Sequence, residues 1–145
     1  MTRDPATQRQ PVLLYDGECG LCQACVRQLL QRDRREQLRF APLQGAAAQE
    51  FLRAHGLPTE DFDTLIFVPD WSRRERRGAF LVRTDAVLAA CAEAGGALER
   101  LAELRLVPRA VRDAAYKLVA RMRYRLFGEP RPGALARPEW AERFL

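Results

Sequence analysis

The sequence predicts an α/β fold: a central mixed sheet of about four strands, with an additional helical extension at the C-terminus. Three observations carry this. Short apolar runs rich in β-compatible residues alternate with stretches of helical periodicity. Two of the runs flank one such helix, as in a β-α-β unit. Two later runs are joined by a single charged turn, as in a hairpin. The element order is β-α-β-α-β-β-α, followed by further helices.

Residues 1–10 are polar and lack the apolar core of a signal peptide, so they read as a short disordered lead. "PVLLYD" (11–16) is an apolar run closed by Asp-Gly and reads as a buried strand. From Leu21 the period changes. Cys22, Cys25, Val26, Leu29 and Leu30 fall on one helical stripe, and the charged "QRDRRE" closes it. "LRFAPL" (38–43) reads as the second strand and "QGAAAQEFLRAHG" (44–56) as the second helix, with Gly56 placed for a left-handed C-terminal turn. "DTLIFVPD" (63–70) is the third strand, "WSRRERRG" (71–78) a charged turn containing Trp71, and "AFLVR" (79–83) its hairpin partner.

A third helix is expected over Ala86–Ala94, capped by Thr84 or Asp85 and stopped at Gly95-Gly96. A shorter helix over 97–106 follows. A longer one starts at Pro108 and ends at Gly128, with Val111, Ala114, Ala115, Leu118, Val119, Met122 and Leu126 as an apolar stripe for the core. A Pro-rich tail ends in a short amphipathic segment, Trp140–Leu145. A β-α-β unit implies parallel pairing, and helices between strands should cover both sheet faces. This is the order of a thioredoxin-like fold, expected over 11–96, with 97–145 packed on the same domain.

At 145 residues, 48% hydrophobic and 30% charged, the chain is composed like a folded domain rather than a disordered one. No apolar run approaches the ~20 residues of a membrane-spanning helix. Three of the four cysteines crowd into "CGLCQAC" (19–25), which does not look like a disulfide framework; a reducing cytoplasmic setting is expected. The net charge is +5. Arg105 to Arg131 holds eight basic residues against Asp113 and Glu129, a face that is either a solvated helix surface or a dock for an anionic partner.

The chemistry concentrates in "YDGECGLC" (15–22). Cys19 is expected at the mouth of the first helix, where unpaired N–H groups and the helix dipole favour a thiolate; Asp16 and Glu18 oppose this. Cys22, one turn on, starts the apolar stripe. An accessible Cys19 and a shielded Cys22 would suit two-step thiol–disulfide exchange, with Cys19 attacking and Cys22 resolving. Asp16 either accepts a proton when Cys22 is activated or caps the turn through backbone N–H groups. Cys25 and Cys91 read as small buried hydrophobes, and Tyr15 as core or sheet surface. A metal site is the competing reading of Cys-x2-Cys-x2-Cys. The ferredoxin run would place its fourth cysteine at Leu29, and zinc would need Cys91 or His55 from another helix. His55 reads instead as a helix-end residue, so no metal and no bound cofactor is expected.

"LLYDGECGLC" resembles the signature of the DCC family of thiol–disulfide oxidoreductases, Asp-x-x-Cys-x-x-Cys, here Asp16, Cys19 and Cys22. The resemblance continues through "RFAPLQG", "DTLIFV", "VRTDAVLAAC" and "VPRAVRDAAYKLVARMRYRLFG". It implies a thioredoxin-like fold and dithiol–disulfide exchange by those three residues. Dithiol–disulfide exchange itself would call for a disulfide-containing substrate, protein or low-molecular-weight, and an external reductant; the resemblance supplies no particular substrate. Two departures stand out. The cysteine that family members often carry after Phe-Gly is replaced near Gly133. Thioredoxins proper place a cis-proline before the third strand, where this chain has Asp61-Phe62-Asp63. The alternative function is a non-catalytic binding module, using the basic C-terminal helix and Trp71 to dock an acidic protein or a membrane surface. No nucleic-acid reader motif is present.

Overall fold

A computed structural model describes residues 10–33, 37–60, 65–127, 135 and 138–145. The lead before Gln10, the Asp61–Asp63 segment, the helix stop at Gly128 and the position of Gly133 lie outside the described residues. Strands β1 (Val12–Tyr15), β2 (Arg39–Pro42), β3 (Ile66–Val68) and β4 (Leu81–Val82) form one sheet in the order β2-β1-β3-β4. The strand β1 runs parallel to β2, with Leu13 opposite Phe40, and antiparallel to β3, with Leu13 opposite Phe67. The hairpin pairs Ile66 with Val82. This mixed sheet and its helices form a thioredoxin-like α/β fold.

All four residues of β1 are buried, as a central strand covered on both faces requires. Alternation divides the core in two. Leu13, Tyr15, Phe40 and Phe67 face α1 (Gly20–Arg32) and α3 (Arg83–Ala94). Val12, Leu14, Ala41, Ile66 and Val68 face α2 (Ala46–Ala54). The end of α2 follows the sequence. Gly56 has φ +65°, its N–H donates to Arg53 O, and the Leu57 N–H donates to Leu52 O, which together satisfy the last carbonyls. His55 caps that helix, with Nε2 2.6 Å from Arg74 O.

Several expectations are corrected. The helix α3 starts at Arg83, with Val82 in the cap position and no side-chain cap. Arg83 itself turns the corner from β4 at φ +55°, a conformation side chains rarely adopt. Thr84 and Asp85 do not cap because they face α4 (Arg109–Phe127). Asp85 pairs with Arg109 at 2.7 Å and with Arg112 at 2.8 Å, and Thr84 Oγ1 accepts from Arg112 Nη1 at 3.3 Å. The Arg112 hydrogen bond foremost, and the charge of both arginines, hold the Asp85 carboxyl below the usual range. Residues Gly96–Leu106 form a 3-10 helix rather than an α-helix; Leu98, Leu101 and Leu104 recur at its three-residue period.

The apolar stripe of α4 is not the buried face. Val111, Leu118 and Met122 are exposed. Arg112 and Tyr116 are turned inward instead: Arg112 is held by Asp85, and Tyr116 Oη accepts the Leu65 N–H at 3.1 Å. Two polar anchors thus set the rotation of the helix: Ala115 and Val119 of the stripe face the cysteines, while Val111, Leu118 and Met122 are left outside. Trp71 is a cover on the α2-side core rather than part of a dock. It stacks on Phe51 with 5.7 Å between centroids and lies under Arg74, on the α2 side of the sheet. It cannot share a docking face with α4, which meets α1 and α3 on the other side. The C-terminal segment is more than an amphipathic end. Trp140 and Arg143 are buried, and the Leu145 N–H donates to Phe40 O at the free edge of β2.

Candidate functional site

The site is assembled where β1 gives way to α1. The turn is tied locally: the Cys19 N–H donates to Asp16 O at 3.2 Å, and the Glu18 N–H to Asp16 Oδ1 at 2.9 Å. An Asp at this position provides an acceptor two residues back, which is why the chain reverses here. A second clamp comes from the loop after β2. Gln44 Oε1 accepts the Gly17 N–H at 2.9 Å, while Gln44 Nε2 donates to Asp16 Oδ1 at 2.7 Å. Gly17 leaves little space here, since a Cβ on it would lie 3.2 Å from Gln44 Oε1. Asp16, 5% exposed, is thus built into the turn as its hub.

Cys19 is the N-cap of α1, with φ −108° and ψ 120°. Its carbonyl takes the first helical hydrogen bond, from the Gln23 N–H at 3.0 Å, and its sulfur accepts the Cys22 N–H at 3.5 Å. A sulfur thus stands where Ser or Asp would usually cap, satisfying one of the orphan donors of the first turn. The arrangement brings Cys19 and Cys22 together as the spacing required. It does not reproduce the expected exposed/shielded order: Cys19 is 1% exposed and Cys22 8%. Capping turns the Cys19 side chain back over the helix, under the same cover as its partner.

The Cys22 thiol is pushed far above the ordinary range, first by its hydrogen bond to Cys19, then by burial and the charge of Cys19; a hydrogen bond from the Asp16 main chain works the other way. Cys22 therefore keeps its proton. Cys25 is only half-buried and stands just off the stripe of Cys22, Val26, Leu29 and Leu30. It lines a cavity of about 320 Å³ together with Cys19 and Cys22. Burial, then the charges of Cys91 and Cys19, push its thiol up to about 11. Cys91 is buried in α3, as expected of a small core residue. None of the four cysteines is in a disulfide. Among the described residues no group of three or more His, Cys, Asp or Glu side chains is arranged to hold a metal ion, and no helix is long and apolar enough to cross a membrane.

Two contributors were not singled out in the sequence. Gln44 lies within the "RFAPLQG" segment, but nothing local marks a loop glutamine as a partner of a turn 27 residues away. Tyr116 reads as one more residue of an amphipathic helix, yet it holds the backbone at Leu65 beside the cysteines.

The chain is 32% identical to the uncharacterized protein YuxK of Bacillus subtilis over 134 residues, 92% of this chain and 93% of the relative. It is 30% identical over 121 residues to a chloroplastic DCC family protein of Arabidopsis thaliana, covering 83% of this chain and 66% of that protein. No solved structure matches it. The model of the DCC1-like thiol-disulfide oxidoreductases matches residues 13–129, from β1 through the end of α4, and the chain belongs to that family.

Proposed function

We propose that the protein exchanges its Cys19–Cys22 dithiol with a substrate disulfide. The observation that carries this reading is the capping geometry: at the mouth of α1 the Cys19 sulfur accepts the Cys22 N–H at 3.5 Å, so negative charge is supported on Cys19. The Cys19 thiolate attacks one sulfur of the substrate R–S–S–R′. That S–S bond breaks, a Cys19–R mixed disulfide forms, and R′S⁻ leaves. Cys22 then attacks the Cys19 sulfur, its proton passing through water to the departing thiolate; Cys19–Cys22 closes, the Cys19–R bond breaks and RSH leaves. The substrate gains two electrons and the dithiol loses two, so no bound cofactor enters the cycle. An external thiol reductant restores the dithiol. Asp16 acts as a positioning residue that shapes the turn. Clustered thiols suit a reducing compartment, and the cytoplasm is the setting we assign.

Mass spectrometry of the Cys22→Ser protein after treatment with a model disulfide should find the adduct on Cys19. The wild type should accumulate a Cys19–Cys22 disulfide. Cys19→Ser protein reducing disulfides at the wild-type rate would sink the mechanism.

The exposure of Val111, Leu118 and Met122 favours a second reading, in which α4 also rests on an anionic lipid surface. Asp113 is its only acid, against Lys117, Arg121, Arg125 and three further arginines. Co-flotation with phosphatidylglycerol vesicles but not phosphatidylcholine vesicles, weakened by Leu118→Asp, is expected. Equal recovery with both vesicle types would dismiss it.

A further inference from the structure

The cavity over the cysteines indicates what kind of disulfide the site accepts. Both thiols of the couple are almost wholly covered, so a substrate sulfur meets them by way of the cavity. Its walls come from the N-cap and first turns of α1 (Cys19, Cys22, Cys25), the residue before β3 (Leu65), α3 (Val87) and α4 (Val119). None of the described residues lining it is charged. Its two hydroxyls are already engaged: Tyr116 Oη accepts the Leu65 N–H, and Thr84 Oγ1 accepts from Arg112. At about 320 Å³ it is large enough for a small organic group beside the reacting sulfur. An apolar arm entering it gains roughly 25 cal/mol per Å² removed from water. A carboxylate or ammonium would be desolvated there with no countercharge on the described walls.

We infer that this cavity is the substrate-arm subsite, and that it selects disulfides carrying an uncharged, apolar group next to the sulfur over charged ones of the glutathione type. The inference rests on the dithiol-exchange reading above. It runs against the overall charge of +5, which by itself would draw anionic disulfides to the protein.

The test compares two chromogenic disulfides with the reduced full chain: uncharged 4,4′-dithiodipyridine and dianionic 5,5′-dithiobis(2-nitrobenzoate). Each rate is divided by the rate of the same reagent with dithiothreitol, which removes intrinsic reactivity. The normalised ratio is expected to favour the uncharged reagent by about tenfold or more, a difference of about 1.4 kcal/mol. Val119 is 42% exposed, so Val119→Asp places a charge at the cavity rim without cutting into the core. It should collapse the ratio, as should Ala115→Asp on the same wall. Leu106→Asp, at a position 89% exposed and outside the lining, should leave it. The uncharged probe N-phenyl-1-naphthylamine should fluoresce on binding the wild type and slow its reaction with dithiodipyridine. Equal normalised rates, or a preference that survives both cavity variants, would overturn the inference and leave dithiol exchange standing. Reaction with neither reagent would overturn both.

Discussion

Gln44 and Asp16, 28 positions apart, are joined by a 2.7 Å hydrogen bond from Nε2 to Oδ1, and the other end of the same amide accepts the Gly17 N–H. The turn that presents Cys19 is therefore held from outside as well as by its own backbone. Gln44→Ala is expected to cost about 1 kcal/mol in stability, since the freed Gly17 N–H lies near water and Asp16 Oδ1 keeps the Glu18 N–H. It should also slow mixed-disulfide formation at Cys19, because the cap loses its lateral support. Gly17→Ala should be destabilising in the wild type, where the new Cβ meets Gln44 Oε1 at 3.2 Å, and less so alongside Gln44→Ala. A double-mutant cycle by urea denaturation reads this coupling. Strictly additive effects would show that the amide does not confine the turn.

Asp16 separates a structural from a chemical role. Asp16→Ala removes the acceptor for the Glu18 N–H and for Gln44 and should cost about 1–3 kcal/mol. Asp16→Asn keeps an acceptor oxygen in place. Were the carboxylate the proton acceptor for Cys22, the asparagine variant would lose on the order of a hundredfold in the rate of Cys19–Cys22 closure. As a positioning residue, it is expected to lose little, with the pH profile of closure unchanged in slope. Quenched-flow trapping of the mixed disulfide from pH 6 to 9 distinguishes the two.

What could be read in advance follows the range of the forces involved. The strand–helix order, the Gly56 helix end and the CxxC position rest on local periodicity and backbone geometry, which neighbouring residues encode. The rotation of α4 does not. Val111, Leu118 and Met122 make a sound apolar stripe, yet Asp85 draws Arg112 inward and Leu65 draws Tyr116, so polar contacts across more than 20 residues outweigh hydrophobic pattern. The same holds at the site. Spacing paired Cys19 with Cys22, but their shared burial arises because Leu65, α3 and α4 close over the helix mouth, and no short motif records that.

The C-terminal segment gives a third test. Arg143 Nη2 lies 2.6 Å from Asp33 Oδ2 and Arg143 Nε donates to Leu38 O, with both side chains buried. Asp33 Oδ2 also accepts the Leu38 N–H, while its Oδ1 has no hydrogen-bond partner among the described residues. Arg143→Met leaves a buried carboxylate without its countercharge and is expected to cost about 3–5 kcal/mol. Arg143→Met combined with Asp33→Asn should recover part of that loss, because no charge is then stranded. Urea midpoints for the three proteins check the order; a single variant as stable as the wild type would show the pair to be dispensable.

The thiols around the cavity set an alkaline limit on stability. Cys25 is pushed up to about 11 by burial foremost, Tyr15 up to about 12 by burial, and Cys22 well above its ordinary range by the hydrogen bond to Cys19. In the unfolded chain the thiols ionise near pH ~8.5 and the phenol near ~10. Across that window the unfolded state has released protons that the folded state still holds. Fewer protons bound in the unfolded state means that stability falls as pH rises. The reduced protein should therefore keep its full stability below about pH 8, then lose it progressively through the folded values of about 11 for Cys25 and about 12 for Tyr15. Closing Cys19–Cys22 into a disulfide removes Cys22 from the titration, and Cys25→Ala removes another group. Both should flatten the decline, and together more than either alone. Urea midpoints at half-unit intervals from pH 7 to 11.5 measure it, under phosphine reductant for the dithiol form. Parallel declines in reduced and oxidised protein would show that the buried couple does not carry the effect.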